Sequence, residues 1–193
     1  MQEIKFFGRG GQGAVTAAQI LAAAAFREGK FAQTFPLFGA ERRGAPVLAF
    51  VRIDQEPITI RSKIYAPDVV VIMDLNLLKM VNPFSGLKPN GAVILNGSIT
   101  PELLAPYLTD RTVSLYAIHA SSLAQEIYGR MPIPAVNMLI LGAYCRALKD
   151  VKLDSILDVL PEYFPPEKLE LNRRAATVGF EKAQGVLWSE MSL

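Results

Sequence analysis

The chain is poor in the residues on which most self-sufficient metal or redox chemistry depends. Its 193 residues include one cysteine, Cys145, and one histidine, His119. A single cysteine excludes an internal disulfide, a cysteine-based zinc site and an iron–sulfur cluster bound by this chain alone. A single histidine excludes a histidine-based metal site and a catalytic histidine pair. Cys145 sits in an apolar helical run and reads as a buried, inert thiol. No apolar run reaches the roughly 18–20 residues of a membrane span. Glu3, Lys5 and Arg9 interrupt the start, where a signal peptide would be apolar, so a cytoplasmic protein is expected. Charge of one sign is lacking too: the net charge is +2, which implies no general nucleic-acid binding. Neither internal repeats nor a linker divides the chain, and its length suits one domain over residues 1–193.

What is present is apolar: 51% of the residues are hydrophobic and 20% charged, enough for a proper core, with a surplus that hints at surface buried against a partner. The charge is uneven. Residues 1–65 carry nine Lys/Arg against five Asp/Glu, whereas residues 66–193 carry eleven against thirteen. The basic part contains the run Phe6-Phe7-Gly8-Arg9-Gly10-Gly11-Gln12-Gly13-Ala14-Val15. Gly8, Gly10 and Gly13 fit G-x-G-x-x-G, with Gly11 in addition. A strand at Ile4–Phe7 precedes it, and a helix from Ala14 to Glu28, ended by Gly29, follows. Strand, glycine turn and helix leave the N–H groups of the first helical turn unpaired, which makes an anion site. Glycine also permits positive φ and close approach of the backbone to a phosphate. The same glycines serve equally well simply to turn the chain.

Further along, Val15, Ala18, Leu21, Ala22, Ala25 and Phe26 are spaced to share one helix face. Lys30–Phe35 fits a second strand. A NAD-binding unit places an acid near the end of that strand, and Phe31-Ala32-Gln33-Thr34-Phe35 has none. Residues 35–46, with two prolines and two glycines, predict an irregular loop. That loop carries Phe35, Leu37 and Phe38 beside Glu41, Arg42 and Arg43, the composition of an interface or an anion clamp rather than of a solvated loop. Val47–Ile53 and Ile58–Arg61 predict an antiparallel hairpin. Val69–Met73 and Ala92–Asn96 read as central parallel strands buried on both faces. Asp74 ends the first of these, as a cap for a helix over Leu75–Met80 or as a ligand residue at the sheet edge. Thr100 caps a short helix with Pro101 in its first turn. His119 follows a strand over Thr112–Ile118 and reads as a hydrogen-bonded structural histidine, with a general base as the alternative. The remainder predicts helices over Ser122–Tyr128, Pro134–Leu148, Leu153–Leu160 and Pro166–Trp188. The sum is a single-domain, three-layer α/β fold with a mostly parallel sheet, an antiparallel hairpin and a helical C-terminal part.

Taken together, Gly8–Gly13, then Phe38-Gly39-Ala40-Glu41-Arg42-Arg43-Gly44-Ala45-Pro46-Val47, then Ala49–Ile53, resemble the gamma subunit of 2-oxoacid:ferredoxin oxidoreductases. The resemblance runs over nearly the whole chain and includes Pro67-Asp68, Asn137, Leu141-Gly142-Ala143 and Glu170-Leu171-Asn172. The Gly-Ala-Glu-Arg-Arg-Gly-Ala-Pro run points to the pyruvate and 2-oxoisovalerate branch. Ile118–Ala124 departs from the Pro-Ala-Thr-like segment expected there. The resemblance implies one part of an enzyme that oxidatively decarboxylates a 2-oxoacid with coenzyme A and reduces ferredoxin. Thiamine diphosphate with Mg and the iron–sulfur clusters then belong to partner alpha, beta and delta (ferredoxin-like) subunits. This chain has neither a Gly-Asp-Gly thiamine-diphosphate signature nor a cysteine set. It implies no catalytic residue here and no metal ligand. The candidate coenzyme A, anion or interface residues are Gly8, Gly10, Gly11, Gln12, Gly13, Ala14, Arg42 and Arg43. Gln12 is expected to orient the ligand. A stand-alone dinucleotide-binding protein and a purely structural subunit are the alternatives.

Overall fold

The computed structural model describes residues 1–37, 46–109 and 112–191. Seven strands form one sheet in the order β2-β3-β1-β4-β5-β6-β7: β1 (Gln2–Arg9), β2 (Phe31–Leu37), β3 (Pro46–Asp54), β4 (Val69–Ile72), β5 (Ala92–Asn96), β6 (Ser114–Ile118) and β7 (Gln184–Leu187). Among the described residues, β1-β4-β5-β6 pair in parallel, and β2-β3, β3-β1 and β6-β7 pair antiparallel. The expected α/β sheet is present as a mixed one, with its parallel part at the centre. Six α-helices accompany it among the described residues: α1 (Ala14–Arg27), α2 (Pro101–Leu104), α3 (Ala120–Tyr128), α4 (Asn137–Leu148), α5 (Leu153–Val159) and α6 (Pro166–Lys182). No helix among the described residues is long and apolar enough to cross a membrane.

Alternation along the central strands feeds two cores, because successive side chains of a strand point to opposite faces. Val69, Val71, Ile94 and Ile118 join the core beneath α1 and α4. Val70, Ile72, Val93, Leu95 and Leu115 join the second core with Phe84, Leu104 and Trp188. The helical layer is locked by a close approach of α4 and α6. A Cβ at Gly142 would lie 1.9 Å from the Ala176 carbonyl oxygen, and one at Gly179 would lie 2.1 Å from that of Leu139. Backbone meets backbone there, so neither position has room for a side chain.

Four sequence expectations are corrected. Ile58–Arg61 is not a strand, because both edges of β3 are already taken, by β1 and by β2; the hairpin is β2-β3 instead. Regular structure extends through Phe35-Pro36-Leu37 and begins again at Pro46. Pro36 is accommodated on β2 because that strand is at the sheet's edge, where alternate N–H groups point away from the sheet and carry no ladder bond. The last helix ends at Lys182 rather than Trp188. The chain then adds β7 to β6 and carries Trp188 into the second core, where its indole N–H donates to the Leu108 carbonyl at 3.2 Å. Phe26 lies off the buried face of α1 and is 69% exposed, while Ala17, Ala18, Leu21, Ala24 and Ala25 face the sheet. Residues 75–79 form a 3-10 turn, and Asp74 caps it by accepting from the Asn76 N–H.

Candidate functional site: the glycine turn and the cavity beside it

The glycine turn lies where β1 ends, at the carboxyl edge of the parallel strands. The chain leaves β1 for β2 and β3 on one side of the sheet and for β4 on the other. Open α/β sheets bind ligands outside such a reversal. Gly11 and Gly13 have φ of 99° and 82°, the left-handed region that side chains disfavour. Gly13 is the cap of α1. Among the described residues no side chain caps that helix, and no acid occupies its first turn, so its own first turn does not offset the positive end of its dipole. The turn is closed by the Gln12 N–H donating to the Arg9 carbonyl at 3.0 Å.

The Gln12 amide is engaged within the turn. It is buried, its Oε1 accepts from the Arg9 N–H at 2.8 Å, and its Nε2 donates to the Met73 carbonyl at 3.3 Å. It braces the turn against the end of β4. Two further glycines of the turn carry neighbours: Ile133 packs against Gly11, and Asn137 against Gly13, where a Cβ would meet its Nδ2 at 2.5 Å. Gly8 and Ala14 are buried, and Gly10 is half-buried. Arg42 and Arg43, and with them the rest of residues 38–45, lie outside the described residues. The strands entering and leaving that segment, β2 at Leu37 and β3 at Pro46, reach the same sheet edge, and Pro46 pairs with Arg9.

Beside the turn is a cavity of about 310 Å³, lined by Arg9, Gln12, Asp74, Asn96, Ser121 and the Pro132–Pro134 segment among others. Its floor is stitched from the ends of β4, β5 and the start of α3. Asn96 Nδ2 donates to the Met73 carbonyl at 2.8 Å and to Ser121 Oγ at 2.9 Å, and Asn96 Oδ1 accepts from the Ser121 N–H at 3.1 Å. Arg9 Nε lies 3.0 Å from Asp74 Oδ2. Its N–H is not aligned as a hydrogen bond, so the contact is a charge pair. Sequence reasoning missed Arg9, Asn96 and Ser121. Their one signal is position: each lies at or just beyond the carboxyl end of a strand.

His119 stands at the start of α3 and is exposed, and among the described residues its side chain makes no hydrogen bond. It is therefore not the hydrogen-bonded structural histidine expected. With Ser122, Glu126 and Lys182 it borders a groove of about 750 Å³ along β6 and β7, away from the glycine turn. Burial pushes the Cys145 thiol well above its ordinary range, so it stays protonated. No cluster of three His, Cys, Asp or Glu suited to a metal occurs among the described residues.

The chain matches the family model described as Pyruvate ferredoxin/flavodoxin oxidoreductase over residues 3–182. The pyruvate/ketoisovalerate oxidoreductases common subunit gamma of Thermococcus litoralis is 49% identical over 182 residues, 94% of this chain and 97% of that protein. The crystal structure of the pyruvate oxidoreductase subunit PORC of Thermotoga maritima aligns with a TM-score of 0.81 at 32% identity, over 95% of this chain and 97% of that one. A 2-oxoglutarate:ferredoxin oxidoreductase of Magnetococcus marinus, with 2-oxoglutarate, coenzyme A and succinyl-CoA bound, aligns with a TM-score of 0.75 at 24% identity, over 93% of this chain and 30% of that one. At that identity the likeness speaks for the fold alone.

Proposed function

Because the chain belongs to the pyruvate ferredoxin/flavodoxin oxidoreductase family, as the gamma subunit of a multi-subunit 2-oxoacid:ferredoxin oxidoreductase, we propose that it docks on the thiamine-diphosphate subunits and offers the glycine turn to a phosphate of coenzyme A. The observation that carries this reading is the turn itself: positive-φ glycines and an uncapped helix start beside a polar cavity at the sheet's reversal point. The N–H groups around Gly10, Gly11, Gly13 and Ala14 are the backbone donors, Gly8 allows the close packing beneath them, and Gln12 holds the turn in shape. Arg42 and Arg43 add charged hydrogen bonds from the neighbouring connection.

The 2-oxoacid is pyruvate or 2-oxoisovalerate, as the names of the relatives suggest. Carbanion chemistry on thiamine diphosphate with Mg, and electron transfer through iron–sulfur clusters to ferredoxin, belong to the alpha, beta and delta subunits, since this chain has a single, buried thiol. The isolated chain is accordingly inactive, and the complex works in the cytoplasm. Docking is supported by large apolar side chains left in solvent, among them Tyr65 at 74% exposure and Met80 at 62%. The test is the coenzyme A dependence of turnover in the assembled enzyme. Arg42→Ala with Arg43→Ala should raise the KM for coenzyme A at least several-fold with kcat largely kept; an unchanged KM removes the two arginines from the site.

Packing of Ile133 on Gly11 and of Asn137 on Gly13 favours a second reading, in which the glycines serve only close contact and the subunit is structural. Assembling the complex without this chain separates the two. Stable alpha–beta assembly that has lost coenzyme A turnover supports ligand binding, and loss of assembly itself supports the structural role. The stand-alone dinucleotide-binding alternative has less to support it. β2 is an antiparallel edge strand two places from β1, so no β1-α1-β2 nucleotide-binding unit exists to receive a ribose.

A further inference from the structure

We infer that Arg9, held in place by Asp74, is the anion clamp of the cavity beside the glycine turn and takes a phosphoryl group on its two terminal nitrogens. This rests on the reading of the turn as a phosphate site and adds to it the principal charged ligand and the residue that aims it.

Arg9 is fixed at both ends of its reach. Its backbone N–H donates to Gln12 Oε1 at 2.8 Å, and its Nε lies 3.0 Å from Asp74 Oδ2. Asp74 is itself held, because its Oδ1 accepts from the Asn76 N–H at 2.9 Å and from Asn76 Nδ2 at 3.1 Å. The carboxylate thus pairs with the guanidinium at its inner nitrogen. Among the described residues, nothing bonds the two terminal nitrogens, and the side chain keeps a third of its surface open. An ion pair formed for its own sake would use the terminal fork, where two parallel hydrogen bonds to a carboxylate are available. A guanidinium held at Nε by a charge pair keeps that fork for a second oxyanion. Arg9 and Asp74 both line the cavity, and the uncapped start of α1 is on the same turn. A phosphoryl group has oxygens enough for the fork and for backbone N–H groups together.

Asp74 gives the inference a test of sign. If it acted on an anion only through its charge, removing that charge would tighten binding. If it aims Arg9, removing it weakens binding. The full-length chain should be titrated with inorganic pyrophosphate by calorimetry, each variant first being shown to keep the wild-type circular dichroism and thermal midpoint. The wild type should bind saturably. Arg9→Lys, which keeps the charge and loses the fork, should bind about tenfold more weakly or worse, and Asp74→Asn several-fold more weakly. Asp74→Ser, which keeps a capping oxygen for the turn after it, carries the same sign test should the asparagine variant not fold. No saturable binding by the wild type, wild-type affinity in Arg9→Lys, or tighter binding in the Asp74 variants would each overturn the clamp. In the assembled enzyme, a raised KM for coenzyme A in Arg9→Lys with kcat retained supports both the clamp and the ligand. Weakened pyrophosphate binding with an unchanged KM upholds the clamp and overturns coenzyme A as its occupant.

Discussion

Glycine serves two different ends in two regions of this molecule. Where α4 crosses α6, Gly142 and Gly179 sit in ordinary helical backbone and are needed only because another backbone lies where a side chain would be. In the turn after β1, Gly11 faces solvent, meets nothing closer than ordinary contact with Ile133, and is needed for its φ of 99°. Gly13 combines both demands. The contrast separates residues that hold the fold from residues that shape the site. Closeness to the site does not decide which is which; the cause of the glycine requirement does.

Substitutions can break or sharpen that contrast. The largest loss is expected for Gly142→Ala or Gly179→Ala, which drive a methyl group into a carbonyl oxygen and cost about 3 kcal/mol or more in denaturant unfolding; an effect near zero would mean that α4 and α6 part easily. Gly13→Ala should cost about 2–3 kcal/mol, from the left-handed backbone and the displaced Asn137 side chain together. Gly11→Ala should cost only about 1 kcal/mol, yet it should weaken pyrophosphate binding as much as the more damaging Gly13 change. If it lowers stability without touching anion binding, the turn is structural. The smallest effect is one of pH. Burial raises the Asp150 carboxyl above its usual range, against hydrogen bonds from Tyr144 and Val151 that lower it. The native state therefore binds more protons than the unfolded chain between the ordinary and the raised value. Stability must fall as pH climbs through that window. Asp150→Asn should flatten the slope in unfolding midpoints measured from pH 4 upward, while leaving the order of the glycine variants unchanged.

The two glycine classes were not equally legible. The turn stands out in sequence because its glycines cluster between an apolar strand and an alanine-rich helix. Gly142 and Gly179 are isolated in helical patterns, and nothing local says that two helices 37 positions apart will touch there. The buried strands Val69–Ile72 and Ala92–Asn96 were readable because both faces are covered and every position is apolar or nearly so. The partner of β3 was not, because pairing is decided by which edges remain free, a property of the whole sheet. At the site, the turn and the capping role of Asp74 were foreseeable from local chemistry. Arg9 as the partner of Asp74, and Asn96 with Ser121, are meetings across the carboxyl edge of the sheet between residues 65 and 25 positions apart in sequence. Gln12 went the other way: a polar side chain in a ligand loop looks free in sequence, and only the fold reveals that both ends of its amide are engaged.

Trp188 offers one more consequence. It is the sole tryptophan of the chain and has no exposed surface in the core beneath β6. Its near-ultraviolet emission is therefore a built-in optical reporter of a single event, the seating of β7 on the sheet edge. Excited at the red edge of its absorption, the native chain should emit at short wavelength and resist quenching by iodide. A shift to longer wavelength during assembly with the partner subunits would mark β7 leaving its place, whereas an unchanged spectrum would mark a subunit that docks with this end of the sheet intact.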